Sequence, residues 1–173
     1  MSVLSDLKYM MLEVIRPLTD PEIIQSIKQE IIIISKTQYL GALITTNKRH
    51  IYFAIDNEDQ CCEKYGFLDW HTEDANDLVG ESLRHLKFSY KEDINKYDDP
   101  KQTWFIDIQC SGFSLTLTAY NAHNGYYGHT VKCFQIHLGH NLKEPIDVHE
   151  VVVLYDDTAD QNYYDQLRRG RDA

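Results

Sequence analysis

The stretch Thr19-Asp20-Pro21-Glu22-Ile23-Ile24-Gln25-Ser26-Ile27-Lys28-Gln29-Glu30-Ile31-Ile32-Ile33-Ile34 decides the fold, because it carries two patterns in succession. It opens like a helix start, with a capping oxygen, proline at the first helical position and an early acid. Ile23, Ile24, Ile27 and Ile31 then recur at helical spacing and share one face of a helix over about 20–29. The block Ile31 to Ile34 is different: four β-branched residues in a row suit a pleated strand better than a helix. The stretch therefore predicts a helix that hands over to a strand.

Upstream, Leu4, Leu7, Met11 and Val14/Ile15 fit a helical stripe, while Met10 to Ile15 equally suits a strand. Downstream the chain reads as strands. Leu40–Thr46 and His50–Asp56 form a hairpin around Asn47-Lys48, and in the second arm Ile51, Phe53 and Ile55 alternate with Tyr52, Ala54 and Asp56. That alternation predicts one core face and one outer face. Asp77-Leu78-Val79-Gly80 reads as a helical turn before a strand over about 82–90, and Asp98-Asp99-Pro100 as a turn. Trp104, Ile106, Ile108 and Cys110, then Phe113, Leu115, Leu117 and Ala119, alternate with other residues on either side of Ser111-Gly112, the two-residue link of a tight hairpin. Val131–Leu138 is expected to continue this meander as a third strand, and Glu150–Tyr155 to add another. The whole is expected to be one α+β domain over 1–173: an N-terminal segment 1–30 with its helix, a mainly antiparallel twisted sheet over about 30–155 with short helical turns, and a tail 156–173.

Composition narrows the function. The chain has 27 acidic residues against 17 Lys and Arg, a formal charge of −10. Asp56, Glu58, Asp59, Glu63, Asp69, Glu73, Asp74, Asp77 and Glu81 crowd one window in which Lys64 is the lone Lys or Arg. A protein that grips a phosphate backbone needs neutralising cations, so direct nucleic-acid binding is disfavoured. An acidic face suits a basic protein partner or a cation, and Asp69, Glu73, Asp74, Asp77 and Glu81 are the candidate contact residues. The same excess also fits a solvated surface that aids solubility. No apolar run approaches the ~18 residues of a membrane span, and no secretory signal pattern is present. Adjacent Cys61 and Cys62, with Cys110 and Cys133, do not form a small-domain disulfide framework, so reduced thiols in an intracellular setting are expected.

Phosphate-binding loops, dinucleotide fingerprints and nucleophile elbows are absent, and His149-Glu150 lacks the second histidine of a zinc-protease helix. The chemistry concentrates in two stretches, Asp59-Gln60-Cys61-Cys62-Glu63 and Asn121-Ala122-His123-Asn124-Gly125-Tyr126-Tyr127-Gly128-His129. If the second is a hairpin tip centred on Tyr126, His123 and His129 face each other within reach of one ion. Thiolate and imidazole are the preferred zinc ligands, so Cys61, Cys62, His123 and His129 are the candidate set, with Glu63, Asp59 and His71 in reserve. The plain alternative has the histidines hydrogen-bonding the loop and the cysteines filling the core. A Cys62 nucleophile activated by His123 is a further option, although no oxyanion hole or substrate pocket is evident.

The same two stretches, with Asp77-Leu78-Val79-Gly80-Glu81-Ser82-Leu83, resemble a family of small phage-encoded domains over roughly residues 30–155. Some phage-borne families of this kind act as anti-CRISPR proteins. The resemblance implies a non-catalytic protein in the cytoplasm of a bacterial host, binding a basic type II CRISPR effector nuclease and blocking its engagement of nucleic acid. It assigns no contact residues and no metal. Two other readings stand beside it: a small metal-dependent hydrolase or nucleotide-processing enzyme, and a metal-free interaction domain.

Overall fold

The computed structural model describes residues 8–10, 20–58, 64–68, 75–93, 101–122 and 129–156. In chain order the strands are β1 (Lys8–Met10), β2 (Glu22–Ile34), β3 (Thr37–Thr46), β4 (His50–Asp56), β5 (Lys64–Leu68), β6 (Ser82–Asp93), β7 (Lys101–Cys110), β8 (Ser114–Ala122), β9 (Val131–Ile136) and β10 (Val151–Asp156). They are ordered β10-β9-β4-β3-β2-β6-β7-β8-β5, with β1 alongside β6, and every strand pairing is antiparallel. Helical structure among the described residues is confined to a turn within 75–80 and the 3-10 turn Val148–Glu150. No helix among them is long and apolar enough to cross a membrane.

The expected α+β class is thus overturned, and the correction falls on the opening stretch. The predicted helix over about 20–29 is the first part of β2, which runs 13 residues without interruption. Pro21 stands just before the first paired residue, where a missing N–H costs the sheet nothing. The helical spacing of the isoleucines has another cause, a register shift between Ile24 and Ser26. One extra residue in a strand moves its side chains to the opposite face. Ile24 and Ile27 consequently share the inner face despite being three apart, whereas Ile32 and Ile34 bury on the outer face. Ile31, the supposed end of a helical stripe, is 50% exposed.

Just ahead of the shift, the labour of β2 is divided. Glu22 and Ile23 pair with Leu83 and Ser82 of β6, while Ile24–Ile34 pair with β3. Two half-sheets therefore share one strand, and their inner faces meet in one core. Ile44, Ile51, Phe53 and Ile55 come from one side; Leu86, Phe88, Trp104, Ile106 and Ile108 come from the other. Phe88 links them directly, 6.3 Å from the Phe53 ring and stacked at 5.1 Å on Tyr155. Burial of each such side chain contributes about 1.5–3 kcal/mol, so this face dominates the favourable side of folding.

The expectation that β4 has one core face fails as well. Tyr52 and Ala54 join Ile32, Ile34, Tyr39, Leu43, Phe134 and Ile136 in a second core on the outer face. The segment after β9 covers it: Ile146 is buried there, and its backbone exchanges bonds with Ile33 O (3.0 Å) and Ser35 N (2.6 Å). Both hairpins expected from the sequence form. Cys110 N donates to Phe113 O at 2.8 Å across Ser111-Gly112, and Trp104 pairs with Ala119. The third strand of the meander does not join them. β8 lies between β7 and β5, and β9 between β4 and β10, in the other half-sheet.

A buried ion pair fixes the start of β2 against the β3–β4 turn. Glu22 is fully buried and Arg49 is 5% exposed. Arg49 donates from Nε to Glu22 Oε1 (2.8 Å), from Nη2 to Glu22 Oε2 (3.2 Å) and from Nη1 to Gln135 Oε1 (2.5 Å). Thr46 Oγ1 lies 2.9 Å from Glu22 Oε1, and Asn47 N donates to Ile23 O at 3.0 Å. Removing one member strands the other charge away from water, which costs about 3–5 kcal/mol. Arg49→Leu should show a loss of that size in urea denaturation, and Glu22→Leu combined with Arg49→Leu should recover a large part of it. Losses that simply add would contradict the pairing.

Candidate functional site

β4 ends at Asp56, and His129 stands two residues before β9, so the β4–β9 ladder brings the two side chains together. Asp56 N donates to Thr130 O at 3.1 Å. The Asp56 carboxylate in turn accepts from Thr130 N (2.6 Å) and Thr130 Oγ1 (3.1 Å) through Oδ2, and from His129 Nδ1 through Oδ1. The same Nδ1 lies 3.0 Å from the Asp56 backbone oxygen. Both of these partners are acceptors, so Nδ1 carries a hydrogen, and in the neutral ring the lone pair is on Nε2.

The imidazole is fully shielded, with its side chain at 0% exposure against 14% for Asp56. Tyr65 of β5 covers it in a stacked arrangement, with centroids 4.0 Å apart and planes inclined by 28°. The Tyr65 hydroxyl donates to Asn57 Oδ1 at 2.9 Å, and Asn57 N donates to Gln38 O at 2.8 Å. β5 is the outermost strand of its half-sheet, whereas Asp56 and His129 belong to the other half. This contact therefore closes one end of the structure.

Burial pulls the Asp56 carboxyl upward, but the bonds from His129 and Thr130 outweigh it and leave the group below the usual aspartate value. A carboxyl depressed in this way stabilises the fold above its unfolded value and loses that contribution as pH falls through its folded value. The two described thiols, Cys110 and Cys133, are shifted the other way. Burial, followed by the charge of Glu81, pushes Cys110 up to about 11, and burial pushes Cys133 higher still. Neither supplies a thiolate near neutral pH. His50 is held below its usual value, first by burial and then by Lys28 and His140.

Of the proposed metal ligands, His129 is placed as described. Cys61, Cys62 and His123, and the reserves Asp59, Glu63 and His71, lie outside the described residues. The geometry invoked to pair His123 with His129 does not hold, because β8 and β9 are not neighbours. Among the described residues no group of three or more His, Cys, Asp or Glu is placed to hold a metal ion. Of the acidic contact residues, Asp77 is exposed on the 75–80 turn. Glu81 is half-buried and accepts from Ser111 Oγ at 2.9 Å, while Asp69, Glu73 and Asp74 lie outside the described residues. Sequence reasoning misses Asp56 and Tyr65 as site residues. It counts Asp56 toward the acidic excess, although a lone acid at the end of an apolar strand is itself a signal.

What this arrangement does chemically follows from Nδ1. A carboxylate that takes the Nδ1 hydrogen fixes the ring and raises the basicity of Nε2, which suits either a metal ligand or a general base. Near neutral pH, Asp56→Asn should cost about 1–3 kcal/mol, the penalty for disrupting buried charged hydrogen bonds. Followed by thermal denaturation across pH, the gap from the wild type should hold steady and then shrink below about pH 4. A gap that persists unchanged to strongly acid pH would show that Asp56 is not the depressed group.

Neither curated proteins nor solved structures give a match to the chain. A family model does: it covers residues 22–133, from the start of β2 into β9, and so includes Asp56, Tyr65 and His129. The chain belongs to the family described as a domain of unknown function, DUF7448.

Proposed function

We propose that this chain is a non-catalytic binding protein whose closed end is tied by a zinc ion through His129, and whose acidic surface engages a basic protein partner. The observation that carries the reading is the Asp56–His129 bond. Histidines that ligate metals commonly donate their other ring N–H to a carboxylate, and His129 is held that way by Asp56 Oδ1. Cys61, Cys62 and His123 are the proposed companions, chosen for ligand chemistry and for belonging to the chain's two Cys/His stretches. Zinc in such a site would cross-link long connections to the sheet, and its binding energy would count as folding energy.

The formal charge of −10 and the exposed Asp77 favour a basic partner. In its most specific form, drawn from the resemblance to phage-encoded domains, that partner is a type II CRISPR effector nuclease kept from nucleic acid. The Asp56–His129 bond also matches the orienter and base of a hydrolytic site, so an open zinc with a bound water is the competing arrangement.

Elemental analysis of purified protein should find about one zinc per chain, closed by four protein ligands. His129→Ala should lose the metal and melt earlier. Metal-free wild-type protein would overturn the zinc reading, and hydrolysis of a phosphoester substrate would favour the enzyme. Binding to a purified type II effector should weaken as salt rises and in Asp77→Lys. Absence of binding at low salt would remove that partner.

A further inference from the structure

Next to the closed end, the inner face of the β5–β8–β7 ladder turns polar. Asn121 continues the inward positions of Leu117 and Ala119 on β8 and is 0% exposed. Neither Oδ1 nor Nδ2 of its amide meets a hydrogen-bond partner. Trp104 is 1% exposed, and its indole N–H is likewise unmatched. The two are near each other by register. Asn121 stands opposite Gln102 on β7 and opposite Tyr65 on β5, and Trp104 is two residues along from Gln102 on the same face.

The surroundings are flat and aromatic. The Tyr90 ring lies 5.6 Å from Trp104, inclined by 40°. The Tyr90 hydroxyl accepts from Gln102 Nε2 at 3.1 Å. Tyr65 faces Asn121 across the ladder and turns its ring to His129. Among the described residues, Glu22, Thr46 and Arg49 show buried polar groups matched with care, and Ser82 Oγ is a single unmatched atom. An amide with both ends unmatched, beside an unmatched indole, is an exception that calls for a ligand.

We propose that Asn121 and Trp104 form a binding site for an amino-substituted, nitrogen-containing heterocycle of the nucleobase class. The chemistry on offer is one acceptor, Asn121 Oδ1, and donors on Asn121 Nδ2 and Trp104 Nε1. A ring amine beside a ring nitrogen complements the amide, as in the pairing of Asn with an adenine edge. A second ring nitrogen or carbonyl takes the indole hydrogen, and the aromatic rings supply stacking surface. The site lies at strand ends: Asn121 is one residue from the end of β8, and Tyr65 one from the start of β5. Terminal rungs open at low cost compared with the sheet centre. The site uses neither the zinc nor the acidic surface, so it stands apart from the function proposed above.

The test is thermal denaturation of wild type and Asn121→Leu, each alone and with millimolar adenine, cytosine or N6,N6-dimethyladenine. Leucine is close in shape and removes the unmatched amide, so the variant alone should melt higher than the wild type. Adenine or cytosine should raise the wild-type melting temperature, the dimethylated base should not, and Asn121→Leu should respond to none. No response of the wild type to either base overturns the proposal, as does a response retained in Asn121→Leu. A lower melting temperature for Asn121→Leu also overturns it, because the amide would then be satisfied by internal water. Should that variant fail to fold, intrinsic tryptophan emission of the wild type decides the matter. Saturable quenching by adenine and not by its dimethylated form supports the site, and equal or absent quenching overturns it.

Discussion

The structure depends on a single slip of phase in β2. Glu22 and Ile23 pair with β6, Ile24 onward pairs with β3, and the shift between Ile24 and Ser26 follows directly on that handover. With a regular strand, Ile24 and Ile27 would point to opposite faces, and one would leave the core. The shift keeps both inside and then commits Ile32 and Ile34 to the second core. The Glu22–Arg49 pair sits at the same junction and fastens β2 to the β3–β4 turn where the half-sheets part. A charge pair in this position sets geometry more than it adds stability, since desolvation offsets most of the attraction.

The candidate site lies where the two half-sheets close. Tyr65 comes from the far edge of one, and Asp56 and His129 from the other, and they are brought into contact by the folding of the shared sheet. The polar groups there fall into two kinds. Asp56, Thr130 and Nδ1 of His129 are joined in a tight local network, which suits a part that must keep its shape. Asn121 and Trp104 hold unmatched polar atoms. Groups of that kind destabilise the fold and are tolerated where they serve binding.

Short-range patterns are readable from the sequence; long-range ones are not. The hairpins at Asn47-Lys48 and Ser111-Gly112 declare themselves by alternation around a turn, and both form in the expected register. The β2 bulge does not declare itself. It converts a strand's two-residue period into a three-residue gap between Ile24 and Ile27, which imitates a helix locally. The crossing of the chain from β8 to β9 is equally hidden, since two consecutive apolar strands joined by a Gly-Tyr-Tyr-Gly loop also describe a meander. For that reason the sequence points to His129 as a site residue through a β8–β9 hairpin that does not form. Its actual partner, Asp56, lies 73 positions away, beyond the reach of local pattern.

The shared β2 strand folds the sheet so that Tyr65 lands on a His129 ring held by Asp56, and on this contact the rest of the site depends. Nuclear magnetic resonance of protein labelled in histidine and tyrosine tests it most directly. The expected result is a hydrogen on Nδ1 of His129, with cross-relaxation between the His129 and Tyr65 rings, whose centroids are 4.0 Å apart. A His129 ring protonated on Nε2 alone, or without cross-peaks to Tyr65, would contradict it.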